Sequence, residues 1–99
     1  MKKTLTIIGC GKVGKTLGRL WHAKGTFAIQ DVLNRSLASS ERAVSFIGAG
    51  RAASDYAALR PADIILIGCT DDQVAQCCQT LSRAGRIAPG AIVFHCSGA

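Results

Sequence analysis

The sequence predicts an α/β fold, an open, parallel, doubly wound sheet of about five strands with flanking helices. Three observations carry that expectation. Apolar runs recur at residues 5–8, 29–33, 64–69 and 91–96. Most are nearly continuous rather than alternating, as in parallel strands covered on both faces. The segments between them carry helical spacing, and glycine or proline marks most of the boundaries.

Residues 5–8, Leu-Thr-Ile-Ile, form the first strand. A helix over residues 12–24 follows, with Val13, Leu17, Leu20 and Trp21 at i, i+4, i+7 and i+8 on one face and Gly25 placed to end it. The second strand covers residues 29–33. Ser36 is a good N-cap for a second helix, which carries Leu37, Ala43, Val44 and Ile47 up to the Gly48-Ala49-Gly50 break. A short third strand fits residues 51–53. Residues 55–61 are too few for a full crossover helix, so a helical turn or loop leads into the fourth strand. Thr70-Asp71-Asp72 offers N-cap chemistry for a helix through Val74, Cys77, Cys78 and Leu81 that closes near Gly85. Pro89-Gly90 then turns the chain into the fifth strand. With right-handed crossovers, this order builds a sheet whose ligands bind at the C-terminal ends of the strands. The first, fourth and fifth strands read as central ones.

At 99 residues, 48% hydrophobic and 18% charged, the chain fits one packed domain rather than a disordered tail. No stretch approaches the roughly 20 apolar residues of a membrane span, and Met1-Lys2-Lys3 opens no signal-peptide core, so a cytoplasmic protein without membrane contact is expected. Cys10, Cys69, Cys77, Cys78 and Cys96 are odd in number and lack Cys-x-x-Cys spacing. Neither a disulfide framework nor a metal site is signalled, and reduced, mostly buried thiols are expected. The net charge of +6 lies wholly in residues 1–50, where eight Lys or Arg face Asp31 and Glu41. These cations are scattered singly, which argues against nucleic acid and fits a phosphate-bearing small ligand.

Gly9-Cys10-Gly11-Lys12-Val13-Gly14 is a GxGxxG motif. The bare pattern is weak, and its place between a buried strand and an amphipathic helix strengthens it. Gly9 permits the tight turn, Gly11 lets the backbone approach a pyrophosphate, and Gly14 lets the helix pack close to the strand. Free amides at the helix N-terminus face the anion. This is the fingerprint of a Rossmann-type dinucleotide site. Gly18 extends the close helix contact. Lys12 and Lys15 fit a solvated helix face better than a phosphate contact, and at Cys10 the backbone amide matters more than the sulfur.

The second strand's end decides between cofactors. An NAD site usually places Asp or Glu there for the ribose hydroxyls, whereas this strand runs into Asn34-Arg35-Ser36. No carboxylate would repel a 2′-phosphate, and the Arg guanidinium, the Ser hydroxyl and the helix N-terminus can all bind one. The expected cofactor is NADP. Asp31 is placed within or before the strand, away from the ribose. Ser36 can serve as cap and phosphate ligand at once.

Other strand ends complete a groove. Cys69-Thr70-Asp71 follows the fourth strand and can line the cofactor path, with capping the better role for Asp71. His95 and Ser97 follow the fifth strand, where nicotinamide and substrate would meet. A lone strand-end histidine is more often structural, so Ser97 is the better candidate for touching substrate, and both are weak catalytic candidates. His22 is expected at the surface or an interface. Cys77 and Cys78 are read as helix packing residues.

The set Ile-Ile-Gly-Cys-Gly-Lys-Val-Gly, Asn34-Arg35-Ser36, Ile-Gly-Cys-Thr-Asp-Asp and His95-Cys96-Ser97-Gly98-Ala99 resembles the N-terminal Rossmann-like domain of a family of largely uncharacterised NADP-dependent oxidoreductases. It is more distantly similar to pyrroline-5-carboxylate reductases and β-hydroxyacid dehydrogenases. The resemblance spans essentially the whole chain. One departure is Cys69-Thr70, where such proteins commonly carry a small apolar residue and proline. The resemblance implies that residues 1–99 are the N-terminal part of a longer two-domain protein, whose helical domain supplies dimer contacts and much of the substrate pocket. It implies a domain that binds NADP(H) for hydride transfer to or from a small carbonyl or imine substrate, without turnover on its own. A non-catalytic NADP-sensing or regulatory module is the alternative. A methyltransferase-like nucleoside site is disfavoured, because it too wants an acid at the second strand end.

Overall fold

The computed structural model describes residues 3–9, 12–68, 71–85, 87 and 89–95; of Lys12, Val13, Asp71, Asp72 and Val74 it describes the backbone only. The chain runs β1 (Thr4–Ile8), α1 (Lys12–Lys24), β2 (Ala28–Leu33), α2 (Leu37–Ile47), β3 (Arg51–Ala53), a 3-10 turn (Tyr56–Ala58), β4 (Ile64–Ile67), α3 (Asp71–Arg83) and β5 (Ile92–His95). All strand pairs are parallel, in the order β3-β2-β1-β4-β5. The chain therefore winds outward from β1 in one direction, then returns to build the other half from β4. The change of direction lies between β1 and β4, and this is where such sheets open a crevice at their C-terminal edge.

The two faces of the sheet are covered differently. Leu5, Ile7, Val32, Ile64 and Leu66 pack with Ala43 and Ile47 of α2 and with Leu17 and Trp21 of α1. Ile8, Leu33, Ile65 and Ile67 pack on the opposite face against Cys77 and Leu81 of α3 and against Leu59, just past the 3-10 turn. Residues 54–63 thus cover with a loop what a crossover helix would otherwise cover. Trp21 closes the first core edge-on against Phe27, with ring centroids 5.2 Å apart.

Helix ends follow the sequence. Ser36 caps α2 with extended backbone, its hydroxyl accepting the Ser39 N–H at 3.1 Å. Gly48, at φ 91°, closes the same helix by donating its N–H to the Val44 carbonyl at 2.8 Å. In α1 the inward line is Gly14 and Gly18, buried, with the expected Leu17 and Trp21, half-buried; Leu20, expected on the same face, is 46% exposed. Gly18 decides this by drawing the helix inward: a Cβ there would stand 2.9 Å from Ile7 Cδ1 and 3.0 Å from Ile47 Cδ1.

Two further expectations are corrected. Leu37 lies outside the core, 47% exposed, whereas Ala43 and Ile47 of the same helix are buried in it. The fifth strand, read as central, is an edge strand whose Ile92 is 59% exposed. A continuous apolar run distinguishes strand from loop, but it does not specify position in the sheet.

The register holds one irregularity. Between Leu5↔Ile29 and Thr6↔Asp31 the β1–β2 pairing skips Gln30. A single extra residue exchanges the faces of everything beyond it. Ile29 and Val32 consequently share the face toward α1 and α2, while Asp31 joins Leu33 on the other. Without the bulge the Asp31 carboxylate would point into the wholly apolar core of Leu5 and Ile7.

Among the described residues, no helix is long and apolar enough to cross a membrane.

Candidate functional site

Three strand ends meet around the glycine loop. Gly9, at φ 70°, takes the chain out of β1 in the left-handed conformation that glycine adopts without strain. Its N–H donates to the Leu33 carbonyl at 2.8 Å, binding the start of the loop to the last residue of β2. On the other side, the Gly68 N–H donates to the Ile8 carbonyl at 2.7 Å. A Cβ at position 68 would stand 2.6 Å from the Gly9 carbonyl oxygen, so the end of β4 approaches the loop backbone to backbone. In the sequence Gly68 figures only within Ile-Gly-Cys-Thr-Asp-Asp, with no role of its own; only the β1–β4 pairing reveals why a side chain is excluded.

Helix α1 starts directly after this loop, with no acidic residue in its first turn, so the positive end of its dipole is left available to an anion. Gly14 is buried, as close packing on the sheet requires. Lys15 lies 5.2 Å from the Phe46 ring and Arg19 5.1 Å from it, both over the outer face between α1 and α2. That agrees with the helix-face reading of Lys15.

The turn after β2 is held by α2. The Asn34 N–H donates to Ser40 Oγ at 2.8 Å, and the Asn34 amide donates to the Ser39 carbonyl at 3.3 Å. Ser40 Oγ in turn donates toward the Ser36 and Ala53 carbonyls, at 3.1 and 3.0 Å. Arg35 is exposed at the apex and has no ion pair among the described residues. Ser36 uses its hydroxyl oxygen as the cap acceptor, which leaves the hydroxyl proton for another partner. Because Gly9 is bonded to Leu33, the turn lies beside the start of the glycine loop.

Asp31 stands within β2, fully buried, and makes a cluster that sequence reasoning did not find. Arg60 donates to it from its backbone N–H at 2.9 Å and from Nη2 at 2.9 Å, and Arg51 Nε lies 3.2 Å away. The bond to Asp31 holds the Arg60 guanidinium above its ordinary pKa. Arg60 also donates to the Gln30 carbonyl, and Gln30 returns a bond to the Pro61 carbonyl at 2.7 Å. The bulge and the loop over residues 54–63 therefore lock each other. The acid closest in sequence to the turn is thus held by two arginines within the fold.

Asp71 begins α3, which puts it in the helix's first turn; its side chain lies outside the described atoms. His95 ends β5, exposed and paired in register with Ile67. Cys10, Gly11, Cys69, Thr70 and Ser97 lie outside the described residues, as do the side chains of Lys12 and Val13. His22 is exposed on α1. Cys77 is buried and Cys78 half-buried in the second core, as packing residues.

Comparison with known proteins agrees with this geometry. The family described as Rossmann-like domain matches residues 1–99. A Bacteroides fragilis protein described as an NADP oxidoreductase superposes at a TM-score of 0.82, with 20% identity over 95% of this chain and 35% of its own. Synechocystis arogenate dehydrogenase superposes at 0.80, with 22% identity over 93% of this chain and 32% of its own. Prephenate dehydrogenase of A. aeolicus, solved with hydroxyphenyl propionate and NAD+, superposes at 0.78, with 17% identity over 96% of this chain and 33% of its own. The chain thus spans about a third of the length of these proteins. No curated protein matches it by sequence.

Proposed function

Because the chain belongs to the Rossmann-like domain family, we propose that it is the NADP(H)-binding part of an oxidoreductase acting on a small carbonyl or imine substrate. One observation carries the choice of NADP: Asn34-Arg35-Ser36 sits beside Gly9, the first residue of the glycine loop, with an exposed arginine, while Asp31 is buried in the Arg51 and Arg60 cluster. The residues fit the cofactor. Gly68 lets the end of β4 close on Gly9 backbone to backbone, and the start of α1 carries no acid to repel a phosphate. The loop amides bind the pyrophosphate. Arg35 and the Ser36 hydroxyl bind the 2′-phosphate through charge-assisted hydrogen bonds. His95 and Ser97 border the end where substrate reacts. NADPH, when bound, supplies the hydride, and the protein orients it and excludes competing geometry. The B. fragilis neighbour, described as an NADP oxidoreductase, supports the reading. Fluorescence titration with NADPH and NADH tests it: tighter binding of NADPH is expected, and equal affinities or no binding refute it.

A further inference from the structure

Ser40 is fully buried on the second turn position of α2, where an alanine would satisfy the core and favour the helix more. Its hydroxyl instead joins three segments. It accepts the Asn34 N–H at 2.8 Å, and its single proton is shared between the Ser36 carbonyl at 3.1 Å and the Ala53 carbonyl at 3.0 Å. The turn that carries Arg35 is thereby tied at both ends, Asn34 and Ser36, to one buried oxygen, and through Ala53 to the end of β3.

We infer that Ser40 is a positioning residue that holds the Asn34-Arg35-Ser36 turn in the shape a 2′-phosphate requires, and so sets the preference for NADPH over NADH. This rests on the cofactor reading above. The selectivity follows from where the two segments are anchored. The Leu33–Asn34 peptide serves both, its carbonyl accepting the Gly9 N–H and its own N–H donating to Ser40, but the start of the glycine loop is also held against β4, where the Gly68 N–H donates to the Ile8 carbonyl. The turn, by contrast, gives Ser40 its first backbone N–H. Removing the hydroxyl leaves the Asn34 N–H without that acceptor, and the turn relaxes to find another. A displacement of about 1 Å at a charge-assisted contact is enough to weaken it severely. NADH, which carries no 2′-phosphate, does not register that displacement.

The test titrates the 99-residue chain and its Ser40→Ala, Arg35→Ala and double variants with both cofactors. Ser40→Ala is expected to weaken NADPH about tenfold while NADH affinity stays within about twofold. In the Arg35→Ala background the same substitution is expected to cost NADPH less than it does in the wild type, since only the Ser36 contact is left to displace, and to leave NADH unchanged. Equal losses for both cofactors, or an unchanged ratio, overturn the inference and leave Ser40 a residue of fold stability alone. A wild-type chain that binds both cofactors equally overturns the NADP reading itself, and the role of Ser40 with it. Should Ser40→Ala fail to fold, Ser40→Cys keeps the volume with a weaker donor and acceptor. A ratio intermediate between wild type and Arg35→Ala is then the expected result, and a wild-type ratio overturns the inference.

Discussion

Substituting Asp31 by asparagine tests how the loop over residues 54–63 replaces a crossover helix. The carboxylate is fully buried, whereas the side chains of its partners Arg51 and Arg60 are 53% and 50% exposed. Removing one member of a fully buried ion pair costs about 3–5 kcal/mol. Here the arginines can rehydrate in place, which reduces that figure. Against this, asparagine presents two oxygen lone pairs and an NH2 to a site that holds only donors, so one or more of the Arg60 backbone N–H, Arg60 Nη2 and Arg51 Nε contacts is lost. A buried unsatisfied donor costs about 1–3 kcal/mol. The two considerations together give a destabilisation of about 2–4 kcal/mol. For a chain of this size that lowers Tm by about 8–30 °C. Urea and thermal unfolding followed by far-UV circular dichroism measure it directly. A loss below about 0.5 kcal/mol, the range of ordinary surface substitutions, would refute the account of the cluster as the anchor of that loop.

Three further outcomes are expected. Gly68→Ala puts a methyl group 2.6 Å from the Gly9 carbonyl oxygen, a backbone atom that cannot rotate aside, so stability falls by about 1–3 kcal/mol and NADPH affinity falls with it in paired urea and fluorescence titrations. Arg35→Ala leaves stability unchanged and costs NADPH about ten- to hundredfold in Kd, from the loss of a charge-assisted hydrogen bond, with NADH unaffected in isothermal titration. Asp63 accepts the Thr4 N–H at 2.9 Å and the Thr4 hydroxyl at 3.2 Å, which holds its carboxyl below the usual carboxylate range. Its contribution is complete above the unfolded carboxylate pKa of about 4 and is lost as pH falls through the lowered folded value. Asp63→Asn therefore flattens the acid limb of the stability–pH curve below about pH 4 and leaves the slope above it unchanged.

Local chemistry was legible in the sequence. Ser36 and Gly48 mark α2 because an N-cap hydroxyl and a left-handed C-terminal residue are needs of the helix itself. The shortness of residues 55–61 foretold a turn in place of a helix, and Tyr56–Ala58 is that turn. The GxGxxG loop and Asn34-Arg35-Ser36 are likewise read from neighbours in the chain. Tertiary structure decided what depends on partners distant in sequence. The bulge at Gln30 is invisible to periodicity, since Ile29, Asp31 and Leu33 alternate as though they shared a face. Only pairing with β1 moves Asp31 to the side where Arg51 and Arg60, 20 and 29 residues away, can neutralise it. Gly68 has meaning only against Gly9, and Ser40 only where Asn34, Ser36 and Ala53 converge on it. Even β5, correctly read as a strand, gave no sign that it would stand at the edge. By itself the sequence determined the order of elements and marked out the two segments proposed to face an anion, because those readings follow from contacts within a turn or two of the chain. The fit between those segments, and the burial of the one acid that competed for the ribose, were decided by close approach across the sheet, where packing and desolvation act on residues that no local pattern links.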